Sequence, residues 1–147
     1  MTFSYDNACF KYIENTGSSF QVTGTPEAAS SVSGGPVEHE YKFLQFHIHW
    51  GKTTKEGSEH TVDGDATEAE LHIVNWNSTL YKTPAEAASS DKNDGLIVLG
   101  IMLKLGEANS ELNKIIPSLY EIPLKGQKVQ LKDILEIQKL FPGNLYF

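Results

Sequence analysis

The segment QFHIHWG, residues 45 to 51, restricts the fold of this chain more than any other stretch. In an extended strand successive side chains point to opposite faces, so Gln45, His47 and His49 share one face. The bulky apolar residues between them share the other face, which belongs in a core. The segment therefore predicts a half-buried strand that presents two histidines on its second face.

Length and charge exclude several function classes. The 147 residues suit a single domain with its own core. Twelve basic and 19 acidic side chains give a formal net charge of −7, and no stretch clusters lysine or arginine, so we expect no nucleic-acid partner. The longest mainly apolar run, residues 95–106, is interrupted by Lys104 and is too short for a bilayer span, which needs about 20 residues.

Cysteine usage limits the kind of metal site that the chain can build. Cys9 is the single cysteine, which excludes an internal disulfide and a zinc cluster made of cysteines. Any metal site must therefore use mainly His, Asp or Glu. The first ten residues lack a basic region followed by a long apolar stretch, so the expected location is cytoplasmic.

Short strands separated by turns dominate the predicted secondary structure. The predicted strands, antiparallel neighbours in the first half of the chain, are 9–15, 20–24, 33–50, 68–76 and 94–106. The last of these is apolar on both faces, which predicts a central position in the sheet.

Two helical segments are also expected. A capping box at Thr83 predicts a short helix over 83–88. Residues 109–122 are amphipathic at helical spacing, and Pro117 should kink or divide that helix. The apolar positions on its predicted buried face are Leu112, Ile115, Ile116 and Leu119. The tail 131–147 ends on an apolar residue without a closing turn, so we expect a chain cut from a longer domain.

Three histidines could surround one point. Zinc in hydrolytic or hydration sites commonly takes three protein ligands and leaves a fourth position open. His47 and His49 on one strand, with His72 on an adjacent antiparallel strand, fit that geometry. Gln45 and Glu70 each lie two residues before one of these histidines on the same face, where they could fix the tautomer of its ring. The residues alone leave open a metal site and an ordinary polar strand face.

The blocks QFHIHWG, GSEHTVDG and AELHIVNWN, in this order and spacing, resemble the alpha-class carbonic anhydrases. The resemblance covers nearly the whole chain, although the family's domain is longer. It implies a mainly β (α+β) fold: a central twisted, mostly antiparallel sheet with short peripheral helices, incomplete at both ends. Residues 1–147 would form one partial domain.

The resemblance also implies roles for the histidine face. His47, His49 and His72 would bind Zn²⁺, with Gln45 and Glu70 as partners of His47 and His72.

Four further positions match the family pattern. Glu59 matches a buried glutamate that orients a threonine next to the zinc-bound hydroxide, and His60 matches a buried structural histidine that is not a ligand. Val74 and Val98 match apolar positions that line the carbon dioxide pocket.

The activity implied is the zinc-dependent, reversible hydration of carbon dioxide to bicarbonate and a proton, by attack of zinc-bound hydroxide on the small-molecule substrate. Carbonic anhydrases are themselves the standard example of zinc lowering the pKa of bound water to about 7. The resemblance leaves the oligomeric state open.

Two departures from the family pattern bear on activity. Ser18 occupies the place of the proton-shuttling histidine, and a hydroxyl does not titrate near neutrality. We therefore expect slower turnover that depends on buffer. The family's threonine block would follow Phe147 and is not in this sequence, so Glu59 would have no threonine to orient.

Two other interpretations compete. One is a catalytically silent carbonic-anhydrase-related fragment or binding module; such relatives typically lose a zinc histidine, whereas this chain keeps all three. The other is a cupin-like metal site, which needs a glutamate three or four residues after the second histidine. Here Glu56 comes later than that, so we discount it.

Overall fold

The computed structural model describes residues 1–25 and 29–142, and most of its regular structure is antiparallel sheet. In these residues the strands are β1 Thr2–Ser4, β2 Phe10–Asn15, β3 Phe20–Gly24, β4 Ser31–Gly34, β5 Val37–Trp50, β6 Ala69–Asn77, β7 Leu96–Leu103 and β8 Lys128–Gln130. The α-helices are α1 Pro84–Ala88, α2 Ser110–Asn113 and α3 Ile116–Leu119, and short 3₁₀ helices span Asn7–Cys9 and Ile137–Leu140. The predicted mainly β, mostly antiparallel fold with short helices is confirmed.

Strand β5 organises the sheet. It is 14 residues long, so it can pair with β4 and β3 in succession along one edge while β6 follows the other edge. Strands β1, β2 and β8 extend the sheet on the β4 and β3 side, and β7 extends it beyond β6. Each of these pairings is antiparallel, which brings residues distant in sequence into direct register.

A register shift in β5 separates its two halves. Phe43 pairs with Asn75 and Gln45 pairs with Val74, so Leu44 has no partner of its own and forms a bulge. Because of the bulge, Phe43 and Phe46 are both buried although they are three residues apart. Simple alternation, extended back from Phe46, would place Leu44 on the buried face, where Phe43 lies instead.

The core lies on the sheet face opposite the histidines. Phe46 in β5 and Leu71 and Ile73 in β6 are fully buried, and they pack with Ile13 and Val22 from β2 and β3. Burying each such side chain contributes about 1.5–3 kcal/mol. Alternation places the histidines of β5 on the opposite face from these core residues. The core therefore fixes the position of β5 through its apolar face, and the histidine face is not needed for packing.

The structure corrects the prediction for strand 94–106. Within the described residues β7 pairs with β6 alone, so it is an edge strand and not a central one. Leu96 and Val98 are partly exposed there. Apolar residues on both faces of a strand show that the strand is hydrophobic. They do not show whether a second strand pairs with its other edge.

The helical predictions are partly confirmed. Thr83 caps α1, where its Oγ1 accepts a hydrogen bond from the backbone N–H of Glu86 at 3.2 Å. The segment 109–122 is divided into α2 and α3, with Pro117 in the first turn of α3, where its missing N–H costs nothing. Ile116 is exposed and not buried as predicted, because the division rotates it out of the apolar stripe.

Of the helices in the described residues, none has the length and hydropathy needed to cross a bilayer. The predicted open end of the chain falls partly on 143–147, which lie outside the described residues.

Candidate metal centre

The three candidate histidines meet on one face of β5 and β6. His47 and His72 are direct partners in the antiparallel register, and His49 follows two residues after His47 on the same face. Ring centroids of the three imidazoles are 4.7 to 5.3 Å apart. One nitrogen from each ring lies within 4.8 Å of the others, a spacing at which one ion could contact all three.

The hydrogen bonds around these rings direct their protons away from the cluster. The Nδ1 of His47 lies 2.9 Å from Oε1 of Gln45, and because a carbonyl oxygen only accepts, the ring must donate there. In the same way Nε2 of His72 donates to Oε1 of Glu70 at 2.7 Å. In neutral rings, Nε2 of His47 and Nδ1 of His72 are then left with lone pairs, as metal ligation requires.

The short distance between two ring nitrogens inside the cluster also favours metal binding. Nε2 of His47 and Nε2 of His49 are 2.9 Å apart. Two unprotonated nitrogens repel each other at this distance, so either one carries a proton or both face a cation. Burial, and then the neighbouring rings of His49 and His72, lower the pKa of His47, which disfavours its protonated form. The donor set therefore fits a borderline divalent cation such as Zn²⁺, which imidazole nitrogens commonly bind.

Glu70 is a buried carboxylate that holds the ring of His72 in place. Its side chain is 1% exposed, and it accepts hydrogen bonds from the His72 ring, from the backbone N–H of His60 at 2.9 Å and from the His60 ring at 2.8 Å. Burial acts to raise the pKa of Glu70, but these hydrogen bonds outweigh burial and lower the pKa to about 2. Glu70 is therefore a carboxylate at neutral pH, fixed against His72.

Two expectations about burial were wrong. Glu59 was expected to be buried, but its side chain is 53% exposed. His60 was also expected to be buried, and its side chain is 71% exposed. Both residues lie between β5 and β6, in a segment whose conformation the strand pattern does not determine.

Glu59 supplies the contact to His49 that the sequence did not reveal. Its Oε1 lies 3.5 Å from Nδ1 of His49, and its Oε2 lies 3.8 Å from Nδ1 of His72. A negative charge thus faces two of the three rings. Spacing along the chain could not have identified this pair, because Glu59 follows His49 across the irregular backbone of residues 51–58.

The two candidate pocket valines are neighbours. Val74 and Val98 are register partners across β6 and β7, two positions along from the pair formed by His72 and Gly100. Val74 is buried and Val98 is 49% exposed. They form an apolar strip beside the histidines that is open to solvent on the β7 side.

Ser18 lies in the turn between β2 and β3 and is exposed. It lines a cavity together with Phe20, Ile48 and Trp50. Since Ile48 and Trp50 alternate with the histidines of β5, this cavity belongs to the opposite face of the sheet. A proton-relay role for position 18 stays a prediction.

Comparisons with known proteins agree with one another. The family model described as eukaryotic-type carbonic anhydrase matches residues 1–147. Carbonic anhydrase 1 of Oryctolagus cuniculus is 46% identical over 142 residues, which are 97% of this chain and 59% of the relative. Carbonic anhydrase 1 of Mus musculus is 40% identical over 146 residues, 99% of this chain and 55% of the relative.

A third relative is carbonic anhydrase 5A, mitochondrial, of Homo sapiens, which is 45% identical over 130 residues, 88% of this chain and 42% of the relative. The chain thus spans about half the length of the curated relatives it matches.

Proposed function

Because the chain belongs to the eukaryotic-type carbonic anhydrase family, we propose that it binds one zinc ion through His47, His49 and His72 and catalyses the reversible hydration of carbon dioxide. The observation that carries the proposal is the arrangement of the three rings. Their facing nitrogens lie within 4.8 Å of one another, and two of the rings donate their protons outward. Zinc, when bound, supplies a hydroxide nucleophile from water near neutral pH.

In this proposal Gln45 and Glu70 act as positioning residues. Each accepts the ring proton of one histidine, so the opposite nitrogen is free and the ring cannot rotate without losing a hydrogen bond. Glu70 also places a full negative charge next to His72, which increases the basicity of that ring toward a metal. Glu59 adds a second negative charge on the solvent side.

Val74 and Val98 would hold the substrate. Carbon dioxide has no net charge and no strong hydrogen-bonding group, so an apolar strip next to the histidines suits it. Bicarbonate is an anion and gains nothing from that strip, which favours its release to water. The proton produced would leave through solvent and buffer, because Ser18 does not titrate near neutrality.

A stopped-flow assay tests the proposal. Carbon dioxide hydration is followed with a pH indicator, using metal-free chain and chain given one equivalent of Zn²⁺. We expect a zinc-dependent rate that a sulfonamide blocks and that His49→Ala abolishes. The matched control is His39→Ala, which removes a histidine outside the cluster on the same strand and should leave the rate unchanged.

Two results would contradict the activity. A zinc-dependent rate that survives in His49→Ala would place the chemistry elsewhere. Stoichiometric zinc bound by the three histidines without hydration would mean that the chain is a silent member of the family.

A further inference from the structure

Gly100 lies in the middle of β7, on the face of the sheet that carries the histidines. It is the register partner of His72, and the neighbouring positions of β7 on the same face hold Val98 and Met102. Glycine weakens the interior of a strand, and its presence there often marks a close approach by another group. A glycine in this row of larger apolar side chains is therefore expected where a neighbouring group needs the room.

The group that needs the room is the carboxylate of Glu70. A Cβ added to Gly100 would lie 2.8 Å from Oε1 of Glu70 and 3.8 Å from its Cδ. Even the C–H···O contacts between neighbouring strands keep carbon and oxygen about 3.3–3.6 Å apart. A methyl group at position 100 would therefore displace Oε1.

Oε1 is the atom that fixes the ring of His72. It accepts from Nε2 of His72 at 2.7 Å and from Nδ1 of His60 at 2.8 Å. The other oxygen of Glu70, Oε2, accepts from the backbone N–H of His60 at 2.9 Å, and the side chain is 1% exposed. Because three hydrogen bonds hold this buried carboxylate, it cannot move away from position 100 without weakening its bonds to the two rings.

We propose that Gly100 is a positioning residue for the metal centre. The absence of a side chain there lets Glu70 accept the Nε2 proton of His72, which keeps Nδ1 of that ring free for the ion. A Cβ at position 100 would lie 3.9 Å from Cδ2 of His72, an ordinary contact, so the effect reaches the ring through Glu70 and not directly. The inference rests on the proposed function, because it concerns a ligand of the proposed zinc ion.

Zinc affinity, measured by competition with a chelator, tests the proposal. We expect Gly100→Ala to bind zinc about 10- to 100-fold more weakly, the usual effect of losing the partner of a ligating histidine. Gly106→Ala is the matched control, since among the described residues a Cβ at position 106 would meet no atom within 4 Å beyond its chain neighbours. This control should bind zinc as the unchanged chain does.

A double variant shows whether Gly100 acts through Glu70. Because Glu70→Ala removes the carboxylate, adding Gly100→Ala to it should cause no further loss of affinity. The double variant has room for the added methyl group, so it should fold even if Gly100→Ala alone does not. An equal loss of affinity from Gly100→Ala in both backgrounds would overturn the proposal. A double variant that fails to fold where Glu70→Ala folds would overturn it too, since crowding of Glu70 could not be the cause.

Nitrogen NMR of the metal-free chain separates this inference from the proposed function. At alkaline pH the rings are neutral, and the unchanged chain and Gly106→Ala should carry the His72 proton on Nε2. Gly100→Ala should distribute that proton over both nitrogens, and a ring that keeps it on Nε2 alone would overturn the proposal. The readout needs neither zinc nor hydration. A chain that shows the change of tautomer but binds no zinc would contradict the proposed function and leave the effect of Gly100 on His72 standing.

Discussion

At the scale of single residues, three histidines can bind one ion only if each ring carries its proton on the nitrogen that faces away from the ion. Gln45 and Glu70 could be predicted from the sequence, because residues two apart on a strand share a face and lie within hydrogen-bond reach. Glu59 and His60 could not be predicted in their observed places. Both lie in irregular backbone, which the alternation of strand residues does not describe.

Glu59→Gln should weaken zinc binding modestly. The carboxylate faces His49 and His72 at 3.5 and 3.8 Å from an exposed position, where a charge interaction is worth about 1 kcal/mol. Competition with a chelator should show an affinity about fivefold lower at low salt, with a smaller difference at 0.5 M salt because exposed charges are screened.

Gln45→Ala provides the comparison, because it removes a hydrogen bond and no charge. Its effect should be about 10- to 100-fold on affinity and should not depend on salt. A salt-independent effect of Glu59→Gln would mean that this residue acts through packing and not through its charge.

At the scale of elements, pairing partners explain which predictions succeeded. The alternation of residues in β5 and β6 predicted which side chains share a face and that the three histidines lie on the same side of the sheet. It succeeded because both strands bury one face against a continuous core. The same reasoning failed for β7, which is apolar on both sides and yet has a free edge in the described part of the chain. The bulge at Leu44 also escaped prediction, because alternation assumes unbroken register.

Glu111 links α2 to the last described turn of the chain. Its carboxylate is 3% exposed and accepts from Nζ of Lys114 at 2.7 Å and from the backbone N–H of Glu136 at 2.9 Å. Burial acts to raise the pKa of Glu111, but these hydrogen bonds and the charges of Lys114 and Lys139 outweigh it and lower the pKa.

A carboxyl group with a lowered pKa stabilises the fold at pH values above its unfolded pKa of about 4.3, and that stability is lost as pH falls through the folded pKa. Because Lys114 is partly exposed and can be solvated, Glu111→Gln should lower the free energy of unfolding by about 1–2 kcal/mol at pH 7, the cost of weakening its charge-assisted hydrogen bonds. Urea denaturation at pH 7 and pH 3 should show the difference shrinking at the lower pH. An equal loss at both values would contradict a role for the charge.

Among the described residues β7 has one edge without a partner strand, and this edge should promote self-association. A long strand without charged residues and with unpaired backbone groups is a template for pairing with another chain. Leu96→Lys places a charge on that edge and should reduce the weight-average mass measured by sedimentation at high concentration. Leu80→Lys, at an exposed leucine beyond the end of β6, is the control and should not reduce it. Equal behaviour of the two variants would mean that β7 does not drive association.

At the scale of the whole molecule, the candidate centre depends on two adjacent strands. His47 and His49 come from β5 and His72 comes from β6, and these strands also carry Gln45 and Glu70. The opposite faces of both strands are fixed by the core. The chain spans about half the length of its relatives, and it contains all three candidate histidines. They lie on the two strands whose opposite faces pack in the core.

X-ray absorption at the zinc edge counts the imidazoles that bind the ion. The folded chain is loaded with one equivalent of Zn²⁺ and compared with His72→Ala. We expect three imidazole nitrogens and one further oxygen at about 2.0 Å, and the loss of one imidazole in the variant. A centre with fewer than three imidazoles, or a spectrum unchanged by His72→Ala, would contradict it.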